Sequence, residues 1–262
     1  MTIFKREMKS GRNGLIIWGS SIGFMMLICV LMFPEMERQM ESVNELFANM
    51  GSFTAAFGMD RLNFGTLMGF YGVECGNIVG IGGGLYAALV GIGALAKEEK
   101  EHTAEFLLTQ PVSRSRVILE KLMAVMSQVI IMNIAIVTIS AISFLLIGEE
   151  LPIKEFTLLH TAYLLLQLEI AAVCFGISPF IKESGLGMGL GLATILYFLN
   201  IIKNISDKAA FLKYFTPFAY AEPADIISDA RLNGSLIALG IACTALGIIA
   251  AFWKYNRKDI SA

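Results

Sequence analysis

Residues 70–96 read FYGVECGNIVGIGGGLYAALVGIGALA, 27 positions with a single charged side chain, Glu74, and neither Lys nor Arg. At 1.5 Å per residue this stretch makes a helix of about 40 Å, more than enough to cross a hydrocarbon core of about 30 Å. Its apolar residues form one unbroken block, whereas a water-soluble helix shows them at amphipathic spacing. Comparable blocks run over about 15–33, 122–147, 157–181, 186–202 and 235–253. With 56% hydrophobic and 16% charged residues over 262 positions, the chain could not cover itself in water. These features predict an all-α polytopic membrane protein of six transmembrane helices, one transmembrane domain over residues 1–262, with no soluble catalytic domain.

Basic residues resist translocation, so they orient the spans. With the N-terminus inside, 13 of the 20 Lys and Arg fall in cytosolic segments: Lys5, Arg6, Lys9, Arg12, Lys97, Lys100, Arg114, Arg116, Lys121, Lys182, Lys254, Arg257 and Lys258. Glu35, Glu37, Glu41, Glu45, Asp60, Glu149, Glu150, Glu155, Asp207, Glu222, Asp225 and Asp229 then lie outside. Both termini are therefore expected in the cytosol, and the chain is expected in a cell membrane of bacterial type, with the lipid bilayer as its first partner. The first block lacks a small-x-small cleavage site and is read as a retained span. Residues 2–12 suit a short interfacial helix with its cations on anionic headgroups, or a solvated basic tail. The tight hairpin Lys182–Glu183–Ser184–Gly185 makes the fourth and fifth spans antiparallel neighbours, or a re-entrant pair. Residues 203–234, with Pro217 and Pro223, form an external re-entrant or surface segment.

Close approach through small residues is a main means of helix association in lipid. Gly72, Gly76, Gly80 and Gly84 recur every four residues on the second span, and Gly187 and Gly191 lie on the fifth. They predict either packing inside one chain or a seam between two copies. Glu74, near the outer end of the second span, and Glu169, near the middle of the fourth, are candidate pathway residues, because intramembrane carboxylates are costly and face protein or water. Gln167 and His160 are candidate partners for Glu169.

Several chemistries are missing. No GxxxxGK[ST] phosphate loop, HExxH pair or GxSxG elbow occurs, and the cluster Glu98–Glu99–Lys100–Glu101–His102 lacks the His pair of a zinc protease. Cys29, Cys75, Cys174 and Cys243 fall in apolar blocks without metal-ligand spacing and read as small apolar side chains. The formal charge of −2 gives no reason to expect nucleic acid. No catalytic residue, cofactor or metal ligand is assigned to this chain, which is read as a transport protein and not an enzyme.

The cytosolic loop 97–121 is the most informative stretch. Thr103 can cap a short helix with Glu105 in its first turn, Pro111 closes it, and Ser113 can cap the next helix. Phe106, Leu107 and Leu108 form an apolar cluster among charges and need a surface, whether bilayer, protein or partner. The run HTAEFLLTQPVSR (102–114), with Lys121 behind it, resembles the first cytosolic loop of permease subunits of type-2 ABC exporters, an acidic residue followed by Gly-Thr-x-Glu-x-Leu-Leu, two residues and Pro-Val-Ser-Arg. His102 stands where that pattern has Gly. Phe4–Lys5–Arg6–Glu7, Tyr214–Phe215–Thr216–Pro217–Phe218 and Tyr255–Asn256–Arg257–Lys258–Asp259–Ile260 resemble the entry segment, a motif before the last span and the ending of the same family. The resemblance implies a half-transporter. Two such chains form the pathway, and each seats its coupling helix in one of two separate ATPase subunits that bind ATP and Mg. It also implies an ATPase-coupling surface of Glu98, Glu99, Glu101, Thr103, Glu105, Phe106, Leu107, Leu108, Pro111 and Arg114. The competing reading is a secondary transporter or channel driven by an ion gradient, with Glu74 and Glu169 as its working parts. Lipid, peptide, drug and small cation are all admitted as substrate.

Overall fold

A computed structural model describes residues 2–40, 50–100, 112–181 and 185–257, with the side chains of 97–100 outside that description. All its regular elements are helical. Six helices are long and apolar enough to cross a membrane: the first span Thr2–Arg38, the second Leu67–Ala96, the third Arg114–Ile147, the fourth Ile153–Phe180, the fifth Leu186–Ile205 and the sixth Gly234–Arg257.

The first span departs from expectation. Residues 2–12 do not form a separate interfacial helix but are the opening turns of one 37-residue helix. Lys and Arg are good helix formers whose heads reach water from an apolar stem, so a basic segment need not break the helix. Close packing sets its course: a Cβ on Gly11 would collide with the Gln128 side chain, Gly19 faces Met132 and Gly23 faces Ile139, so the glycines lay this helix along the third span.

The second span is interrupted by a π turn. It runs as α-helix over Leu67–Cys75, as π-helix over Gly76–Ile81 and as α-helix again over Gly82–Lys100. A π turn takes a carbonyl out of the ordinary ladder, and a group left bare in lipid costs several kcal/mol. Here Gln167 Nε2 donates to Val79 O at 3.1 Å, and Gln167 Oε1 accepts from Asn133 Nδ2 at 2.7 Å. Spans two, three and four are thereby joined in mid-bundle. Ser113 caps the third span, its side chain accepting from the Arg116 N–H. Gly148 at φ 78° ends it, and the Glu149 N–H returns to Phe144 O at 3.2 Å.

The fourth span is the pillar of the bundle. In its most apolar window 67% of residues are buried within the chain, against 17% for the fifth and sixth spans, whose outer faces are left for lipid or another chain. It crosses the sixth span backbone to backbone: a Cβ on Gly176 would strike Gly247 O, and one on Gly247 would lie 2.6 Å from Ala172 O. The fifth span packs chiefly on the second, with Gly189 against Ile92 and Ala88, and not on the fourth as the hairpin suggested. The 3-10 turn Ser178–Phe180 and the left-handed Gly185 (φ 58°) redirect the chain between them.

The segment after the fifth span divides in two. Residues 207–214 form an exposed 3-10 helix, whereas residues 216–224 are all buried. The second part is therefore inserted among the helix ends and does not lie on the surface. It fills the glycine groove of the second span, where Gly72 meets Ile227 and Pro223, Gly76 meets Pro223 and Tyr163, and Gly80 and Gly84 face Tyr163, Phe218 and Ile170.

Candidate functional site

Polar side chains gather at the end of the bundle where the loop beyond residue 96 leaves and returns. Lys121, in the second turn of the third span and 1% exposed, donates to Ala94 O at 2.7 Å and to Glu7 Oε1 at 3.1 Å. It ties the last turn of the second span, the first span and the third at one point. Next to it, Glu120 accepts the backbone N–H groups of Ile3 and Phe4 at 3.0 and 3.1 Å and the Arg116 guanidinium at 3.0 Å. A carboxylate there satisfies the orphan donors of the first helix and complements its positive end. Arg114 donates to the carbonyls of Tyr255 and Asn256 at 3.5 and 3.3 Å, which brings in the last turn of the sixth span.

Ser178 completes this clamp from the fourth span. Its Oγ donates to Ile92 O at 2.6 Å and accepts from the N–H groups of Leu95 and Ala96 at 2.9 and 3.0 Å. Both roots of the loop are thus fixed to each other and to three other helix ends, and a displacement of the loop must move them together.

Of the residues expected on the coupling surface, Arg114 is placed, at the loop's return root. Glu98 and Glu99 lie on helical backbone that continues the second span, with side chains outside the description. Glu101, Thr103, Glu105, Phe106, Leu107, Leu108 and Pro111 lie outside the described residues altogether. Glu7, Glu120 and Ser178 were not anticipated as site residues. Apart from Arg116 beside Glu120, their partners lie more than 80 residues away in sequence, so no local pattern announces the clamp.

The two intramembrane carboxylates are separated. Glu74 is half-buried and accepts from the Cys29 thiol at 3.8 Å. Glu169 is 8% exposed and accepts from Tyr220 Oη at 2.9 Å, with Gly240 of the sixth span against the same carboxylate oxygen. Burial, with Glu169 beside it, pushes the Tyr220 hydroxyl well above its ordinary range, which keeps it a donor. Neither expected partner of Glu169 is engaged with it: His160 Nε2 bonds Tyr71 Oη at 2.6 Å, and Gln167 serves the π turn. The fourth span turns these three residues to different neighbours. Gly72, Gly76, Gly80 and Gly84 are used inside the chain, whereas Gly187 and Gly191 face open space.

At the opposite end, Glu222 is a second polar centre, 3% exposed. It accepts from Asn200 and Asn204 at 3.1 and 3.0 Å, with Arg61 at 3.5 Å and Lys203 at 3.8 Å. This binds the inserted segment to the fifth span and to the loop before the second. Among the described residues no three His, Cys, Asp or Glu side chains gather as a metal site.

The decisive comparison is with protein families: the model for ABC-2 family transporter proteins matches residues 1–260. The chain belongs to that family. No match is found among curated proteins. An ABC-2 permease is a multi-pass membrane subunit of an ABC transporter, distinct from the ATPase subunit with which it associates, so a chain without a phosphate loop fits the class. The six spans and the family match agree on a membrane permease.

Proposed function

We propose that this ABC-2 permease is the pathway half of an ATP-driven exporter in a bacterial cell membrane, with both termini in the cytosol. Two copies line the pathway, and each offers the loop 97–121 to one of two separate ATPase subunits. ATP and Mg are bound by those partners, and the chain holds no cofactor of its own. The observation that carries this reading is the clamp: both roots of the loop, the first helix turn and the last turn of the sixth span are joined at one end. That end carries Lys5, Arg6, Lys9, Arg12, Lys254 and Arg257, the bias expected of a cytosolic face. Force applied to the loop is therefore delivered to several spans at once, which suits rocking of helices between inward- and outward-open states.

The exposed face of the fifth span, with Leu186, Gly187, Met188, Gly191 and Ile195, is the surface we assign to the second copy. Glu74 and Glu169 are assigned to the pathway.

The test is Leu107→Asp. A charge placed in the apolar cluster 106–108 abolishes co-purification of the ATPase subunit or uncouples its ATP hydrolysis, while the permease remains folded in detergent. An intact complex with full transport activity would refute the assignment.

A further inference from the structure

Opposite the clamp, a cavity of about 540 Å³ opens between the end of the fifth span and the start of the sixth. Its volume lies within the range of small-molecule sites. Lys203, Lys213 and Arg231 line it together with Asp225 and Asp229. The two acids are already engaged, Asp225 by Arg61 at 2.7 Å and Asp229 by Arg231 at 3.2 Å. The Lys213 ammonium sits 5.1 Å from the Tyr214 ring centroid and pairs with no carboxylate among the described residues. Lys203 is 13% exposed and reaches Glu222 only at 3.8 Å. Arg231 is the partner of Asp229, yet the wall carries three cations against two acids, and Arg61 holds Asp225 from beyond it, so the cavity keeps cationic capacity for a small anion. Ile226, Leu232 and Leu236 add an apolar patch to the wall, beside Tyr220 and Asn233.

The rim supplies a second, independent observation. The 3-10 helix Asp207–Tyr214 and the residue after it expose Phe211, Tyr214 and Phe215 at 59%, 56% and 64%. They lie just beyond the end of the fifth span at Ile205. Aromatic side chains at that level mark the headgroup layer of a bilayer. The cavity therefore opens where phospholipid headgroups are concentrated, and its cations face that layer.

We infer that this cavity binds the phosphate headgroup of a glycerophospholipid, with Lys203, Lys213 and Arg231 on the phosphate and the glycerol end on Ile226, Leu232 and Leu236. The site needs only that the chain lies in a bilayer, and does not depend on export direction or on the ATPase. The experiment measures binding to the full chain in a neutral detergent with three probes: dioctanoyl phosphatidylglycerol, dioctanoylglycerol and inorganic phosphate. Phosphatidylglycerol binds saturably, dioctanoylglycerol does not, and inorganic phosphate does not displace the lipid at equal concentration. Lys213→Gln with Arg231→Gln weakens the lipid by about tenfold or more, since two charge-assisted contacts are lost. Both residues are exposed, so an unchanged melting temperature shows that the double variant is folded. Equal binding of dioctanoylglycerol, or an unchanged affinity in the variant, overturns the site. Displacement by an equal concentration of inorganic phosphate overturns the lipid as its ligand.

Discussion

Lys121→Met tests the clamp most directly, because it keeps the length of the side chain and removes the ammonium. Lys121 is 1% exposed and the Glu7 side chain 19% exposed. The substitution removes one bond to a buried carbonyl at 2.7 Å and one to a carboxylate at 3.1 Å. Hydrogen bonds to charged groups contribute about 1.5–3 kcal/mol each. Because Glu7 keeps some access to water, a total of about 2–4 kcal/mol is expected. Glu7→Gln alone leaves the buried ammonium with a weaker acceptor and costs about 1–2 kcal/mol. The double variant removes both members of the pair, so it should be more stable than the sum of the single losses predicts, by about 1 kcal/mol or more. The readout is thermal unfolding in detergent followed by a thiol-reactive dye, since Cys75 and Cys174 are free and buried. Losses that add within about 0.5 kcal/mol would refute the pairing.

The other predictions concern separate parts of the bundle. Gly176→Val drives a side chain into the Gly247 backbone and should cost about 3 kcal/mol or more, whereas Gly187→Val, which meets open space within the chain, should leave the melting temperature of the isolated permease unchanged. Equal melting temperatures for the two would disprove the crossing of the fourth and sixth spans. Glu169→Gln keeps an acceptor for Tyr220 and should alter transport without lowering expression; a fully active variant would remove Glu169 from the pathway. Gln167→Leu removes the side-chain donor of Val79 O, which keeps the Gly82 N–H, and one of the two acceptors of Asn133, which keeps Val129 O, and should destabilise by about 1–3 kcal/mol. If hydrogen exchange at residues 76–81 does not rise in that variant, the amide is not what secures the π turn.

Span placement was legible because lipid demands long apolar blocks, a property of composition that survives without tertiary contacts. The ends of the spans were less so, and the first span shows why: basic residues mark a boundary of the bilayer but not a boundary of the helix. The glycine row 72–84 was readable as a groove, yet its occupant was not, since Pro223 and Phe218 arrive from more than 130 residues downstream. Gly176 and Gly247 gave no such signal because each stands apart from any four-residue repeat, although they meet backbone to backbone while the row 72–84 faces side chains. Glu169 stood out as costly in lipid, but the residue that offsets the cost, Tyr220, lies 51 positions away on the inserted segment. Motif reading placed the loop at 97–121. The clamp that holds its roots rests on Glu7, Glu120 and Ser178, residue types that are ordinary at any helix end.

The clamp also fixes an order of events during synthesis. Glu120 takes hold of the Ile3 and Phe4 N–H groups across 117 and 116 residues, so the first turn can be secured once the third span has been made. Arg114 must wait for carbonyls 141 and 142 positions further on, in the last turn of the sixth span. A nascent chain halted before the sixth span therefore lacks one wall of the site at the loop's root, and that surface forms only once the sixth span has been made.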